Sequence, residues 1–149
     1  GHDSASSLQA IRKLKKISGM DLCVHLMFGL PGETDVQIRE TAQILSEHEV
    51  DGVKLHNLHV LRNTPLEKLY RESRFVPLEL EEYTRKVSLF LQNLSPNIAV
   101  HRLAAVASRW DELVAPDWTR EKMRPTQFID DYLSANDTWQ GRNYLGATG

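Results

Sequence analysis

The feature that most constrains this chain is a repeated switch in hydrophobic period. The segment "DLCVHLMF" (residues 21–28) is an almost continuous apolar run of strand length, as expected of a strand covered on both faces. It breaks at "GLPG" (29–32), where the glycines allow positive φ and the proline stiffens a turn. Thr34, followed three residues later by Gln37, forms a capping box, and Ile38, Ala42 and Leu45 recur at helical spacing. The period returns to two in "DGVKLHNLHVL" (51–61), then to helical spacing in Leu80, Tyr83, Val87, Phe90 and Leu94, a helix stopped at Ser95-Pro96. "IAVHRL" (98–103) supplies a third short strand. Strands separated by helices require crossover connections, so the expectation is an α/β fold with parallel strands, doubly wound or part of a (β/α) barrel.

The flanks are less regular. Leu8, Ile11, Leu14 and Ile17 predict an amphipathic helix, capped by Asp3 or Ser4 and ended by Gly19. A helix this close to a start "GHDSASS" without Met is expected of a chain that begins inside a repeating unit. Beyond Ala104 the pattern weakens through "SRWDELVAPDWTREKM", then resumes as a helix over 125–134 with Phe128, Ile129, Tyr132 and Leu133 on its apolar face. The tail "TWQGRNYLGATG" is Gly-rich and irregular. The organisation expected is a strand–helix part over 1–104 and a mostly helical C-terminal extension over 105–149.

With 41% hydrophobic and 26% charged residues in 149, the chain reads as one globular domain or part of a larger one. No apolar run is long enough to span a bilayer and no basic-then-apolar leader opens the chain, which points to the cytoplasm. A net charge of −2 gives no general attraction to nucleic acid. The basic segment "RKLKK" (12–16) suits the solvated face of a helix, with RNA contact as the alternative. The single cysteine, Cys23, excludes an internal disulfide and any iron–sulfur cluster held by this chain's own thiolates; no metal ligands are expected within it, and Cys23 suits a packing role.

Ligands of parallel sheets and barrels sit outside the carboxyl ends of the strands. "MFGLPGET" is such an end, although it lacks the Lys-Ser/Thr of a P-loop and is not a dinucleotide fingerprint. If Met27 points inward, so do Cys23 and His25, because side chains alternate. On the next strand the alternation places Leu55, Asn57 and His59 on one face, so that His25, Asn57 and His59 are expected to converge in a polar pocket. Each lone histidine also suits a hydrogen-bonded core position, the reading held for His101. Glu33 either orients a ligand amine or favours the positive end of the following helix.

Together "GHD", "CVHLMFGLPGET", "VKLHNLHVLRNTPL", "LVAPDWTREKM", "FIDDYL" and "TWQGR" resemble the second half of radical S-adenosylmethionine enzymes, in the YhcC-type branch related to Elongator-like and coproporphyrinogen-dehydrogenase-like members. The resemblance covers essentially the whole chain. It implies the C-terminal half of a partial (β/α) barrel in which a [4Fe–4S] cluster on a CxxxCxxC loop reductively cleaves S-adenosylmethionine to a 5′-deoxyadenosyl radical. That loop is absent here, so the missing N-terminal half of the same protein is the implied partner and the chain alone is expected to be inactive. The substrate is not readable. By resemblance His25, Met27 and Gly29 fall on the fifth barrel strand, Met27 against adenine, while His59 and Val60 lie where the sixth strand offers backbone to adenine. Asn57 and His2 fall toward the substrate pocket. The alternative is a noncatalytic α/β interaction module that touches RNA through Arg12, Lys13, Lys15 and Lys16.

Overall fold

The turn after the first strand sets the architecture. In the computed structural model, which describes residues 4–17 and 19–146, β1 (Cys23–Phe28) ends at Gly29 with a φ of +90°. An L side chain is strained there, and a Cβ would also meet the Leu78 side chain at 3.2 Å. Thr34 then opens α2 (Asp35–Glu47) with the predicted capping box: Thr34 Oγ1 accepts from the Gln37 backbone N–H at 3.3 Å, and Gln37 Oε1 accepts from the Thr34 backbone N–H at 2.9 Å. Two of the first-turn donors that a helix leaves open are thereby satisfied.

The helix carries the chain back to β2 (Gly52–Asn57), which pairs parallel with β1 in the register Cys23 with Gly52 through Phe28 with Asn57. A second crossover through α4 (Leu80–Asn93) leads to β4 (Ala99–Arg102), parallel to β2, so the strand order is β1-β2-β4. This is the α/β arrangement with parallel strands that the alternating periods predict.

Helices fill one face of that sheet. Phe28, Val53 and Leu55 pack with Ile38, Ala42 and Leu45 of α2 and with Tyr83, Val87 and Phe90 of α4. Phe28 meets the rings of Phe90 and Tyr83 edge-on, at 5.5 and 6.3 Å between centroids, the geometry aromatic quadrupoles favour. Trp118 and Ile129 of the C-terminal region belong to the same core. Ile129 lies on α5 (Arg124–Ala135), and Trp118 on a short 3₁₀ helix (Asp117–Arg120). Trp118 Nε1 donates to the Leu78 carbonyl at 3.0 Å, and Tyr83 Oη donates to the Leu103 carbonyl at 2.7 Å. The extension is thus built into the layer over the sheet.

Three sequence expectations need correction. The N-terminal helix, α1 (Ser4–Leu14), buries Ile11 and half-buries Leu8, but Leu14 and Ile17 are 39% and 49% exposed, because the helix ends at Leu14 and its stripe runs past the core. The run 51–61 is not one strand. It breaks after Asn57, and β3 (Val60–Leu61) pairs antiparallel with β5 (Leu113–Ala115) in a separate two-stranded sheet. A helix that the periodicity did not show, α3 (Pro65–Arg71), follows with Thr64 as its N-cap.

Candidate functional site

The face of the sheet opposite the helices is polar. His25 is exposed and Met27 is 46% exposed, while Lys54, His56 and Arg102 are half-buried. Parallel register sets His25 beside Lys54 and Met27 beside His56, and Lys54 in turn lies beside Arg102 across a bulge in β4. The His25 and His56 rings stack at 5.3 Å between centroids. Arg102 Nη2 lies against the His56 ring and donates to whichever of its two nitrogens is unprotonated. A guanidinium has no acceptor, so the ring must accept, which requires neutral imidazole. Desolvation, and then the charge of Arg102, hold the His56 pKa below the usual histidine value of 6.5, consistent with that protonation state.

Register divides the predicted site residues between two environments. His25 and Met27 lie on the open face as expected. Asn57 does not join them: it is buried, in line with Leu55 on the helix side. There it acts as a clasp, Oδ1 accepting the Ala105 backbone N–H at 2.9 Å and Nδ2 donating to His59 Nε2 at 2.7 Å. The Ala105 donor fixes which side of the amide is oxygen, and so fixes Nε2 of His59 as the acceptor. Burial holds the His59 pKa below 6.5, a hydrogen bond to the Ala105 backbone acting against it. The pocket of His25, Asn57 and His59 that the alternation predicts is therefore not formed, because the strand ends at Asn57 and the parity of His25 belongs to Lys54 and His56.

The remaining predicted residues have local tasks. Gly29 answers a backbone requirement, and its N–H is taken by Glu33 Oε2 at 3.0 Å. Glu33 faces Lys86 Nζ at 3.7 Å. Val60 is fully buried and pairs with Ala115. His2 lies outside the described residues. On α1, Lys15 forms an ion pair with Asp51 at 3.1 Å and Arg12 donates to His48 at 3.1 Å, so both fasten the helix to the domain. Sequence reasoning missed Lys54, His56 and Arg102; the alternation from Lys54 to His56 was visible, but the register that sets it beside His25 was not.

Among the described residues no group of three histidine, cysteine, aspartate or glutamate side chains could hold a metal ion, and no helix is long and apolar enough to cross a membrane.

Comparison with known proteins places this geometry in a family. The radical SAM C-terminal domain profile matches residues 50–135. Protein MJ0486 of Methanocaldococcus jannaschii is 32% identical over 145 residues, 97% of this chain and 45% of that protein. Protein YhcC of Escherichia coli K12 is 34% identical over 134 residues, 90% of this chain and 43% of that protein. The chain thus spans less than half the length of these relatives. The Elp3 of Methanocaldococcus infernus, solved with an N-terminal deletion, superposes with a TM-score of 0.78 at 20% identity over 94% of this chain and 32% of that one, a likeness of fold. Since the profile match spans more than half of the residues and runs through β2, α4, β4 and α5, the chain belongs to the radical SAM C-terminal domain family.

Proposed function

We propose that this chain contributes the S-adenosylmethionine- and substrate-binding strands of a radical SAM iron–sulfur enzyme. One observation carries the reading: a parallel sheet, of a kind ordinarily covered on both faces, has helices on one face and half-exposed polar side chains on the other. In a closed barrel that second face becomes the wall of a cavity.

The residues present fit the two groups unequally. A [4Fe–4S] cluster finds no set of ligands among the described residues, and the sequence has only one cysteine, so its thiolates come from outside this chain. S-adenosylmethionine fits better. Met27, near the carboxyl end of β1 and 46% exposed, offers a flat apolar contact to a purine, and His25 lies one alternation below it on the same face. Gly29 supports this contact by turning the chain away. The His59 side chain is held by Asn57 and Val60 pairs with Ala115, which fixes the backbone that this segment would offer to adenine. When bound, the cofactor would supply hydrogen-atom abstraction; the task of this chain would be to orient it and exclude water.

In the whole protein carrying this chain, with its cluster reconstituted, calorimetric titration tests the reading. Met27→Ala is expected to weaken S-adenosylmethionine on the order of tenfold, the scale of burying one apolar side chain. Unchanged affinity in a folded variant overturns the assignment.

A further inference from the structure

The open face holds more positive charge than the cofactor contacts need. Lys54 and Arg102 are register neighbours on adjacent strands, and strands lie about 4.8 Å apart. Like charges set side by side on a sheet oppose folding unless something compensates. Nothing described here does. Asp51 is engaged with Lys15, Glu33 with Lys86 and Asp35 with Arg85, and among the described residues no acid lies within the 4.0 Å ion-pair distance of Lys54 or Arg102. Arg102 Nε is fully buried without a hydrogen-bond partner, an unusual state for a strong donor. The neutral His56 ring occupies Nη2 but supplies no charge.

We infer that Lys54 and Arg102, flanked by His25 and His56, form an oxyanion-binding subsite, so that the substrate carries a carboxylate or phosphate group held on this face. The inference rests on the reading that the face lines the substrate cavity. Its chemistry is direct: register sets the guanidinium donors that His56 leaves free beside an ammonium on the next strand, so that both can donate to oxygens of one anion, and the neighbouring imidazoles can add further N–H groups. Inside a closed cavity such charge-assisted bonds are screened less than at an open surface.

The test uses the whole protein, titrated by calorimetry with inorganic phosphate, pyrophosphate or tricarballylate, each with and without saturating S-adenosylmethionine. Saturable binding of at least one probe is expected in the presence of the cofactor. Preference for pyrophosphate assigns a phosphate, preference for tricarballylate a carboxylate. Lys54→Gln and Arg102→Gln should each weaken it about tenfold or more, Lys54→Arg should retain it, and Lys68→Gln, on exposed α3, should leave it unchanged. Absence of binding by any probe to the wild type overturns the inference, as carboxylates from elsewhere in the protein would then neutralise the pair. Binding that the cofactor abolishes also overturns it, because the pair would then hold the cofactor's own carboxylate. Binding indifferent to both glutamine variants does the same. Intact cofactor affinity without anion binding defeats this inference alone, whereas anion binding with cofactor affinity insensitive to Met27→Ala defeats only the cofactor assignment.

Discussion

The same three strands present two unlike faces. On the helix side, Phe28, Val53 and Leu55 are at most 4% exposed and lie in an aromatic-rich core; on the other, His25, Met27, Lys54 and His56 alternate with them and remain partly exposed. Alternation places both sets on one backbone, so the difference arises from what covers each face. Crossover helices close the first, and the second remains open. A closed face is specified by volume and shape, whereas the open one is specified by charge and by the directions of its donors.

Substitutions on the two faces should therefore separate stability from binding. Phe90→Ala, at a fully buried ring touching Phe28, is expected to cost about 3–5 kcal/mol in urea unfolding; Met27→Ala should change the same midpoint by less than about 0.5 kcal/mol. Comparable losses at both sites would mean that the open face is part of the folding core.

Asn57→Ala tests the boundary between the faces. It removes the acceptor of a buried backbone N–H and leaves His59 unmatched, so about 1–3 kcal/mol of stability should be lost. Amide exchange at Ala105 should rise in step. An unaltered exchange rate would show that the clasp does not hold the loop after β4.

The smallest effect is on pH. His56 and His59 are both held below their ordinary value of 6.5 by burial. As pH falls below that value the unfolded chain takes up protons that the folded chain refuses, so stability is fully present above it and declines through the interval down to the folded pKa values. Lys54, Arg102 and His25 sharpen the effect at His56, where each opposes a further positive charge. Urea midpoints measured from about pH 8 to about pH 5 should decline, and His59→Gln should flatten the slope. A flat profile in the wild type would mean that both rings are freely hydrated.

Much of the fold is legible where interactions are local. The Thr34–Gln37 box, the stripe of Ile38, Ala42 and Leu45, and the parallel pairing of β1 and β2 follow from spacing alone. What escapes is set at long range. Residues 51–61 read as one strand-like run, although the apolar phase slips from Val53 and Leu55 to Leu58 and Val60; the partner that the second half takes, Ala115 opposite Val60, lies more than fifty positions away. The polar pocket fails for the same reason: which of Lys54 or Leu55 stands beside His25 is a matter of register, and polarity favoured the wrong parity. The helix α3 was legible and overlooked, since Thr64 before Pro65 with Glu67 three residues on is an ordinary helix start. Of the candidate site, residue types and the strand end could be read; the cationic neighbours of His25 could not.

Trp118 connects these regions mechanically. Its indole holds the Leu78 carbonyl, the Leu78 side chain stands over Gly29, and Trp118 rests against Tyr83, whose hydroxyl holds the carbonyl next to Arg102. The C-terminal extension therefore braces the exits of two separate strands from behind. A change of shape there is transmitted as a tilt of both exits, so divergence in that segment can adjust the spacing of the strand ends from behind the sheet.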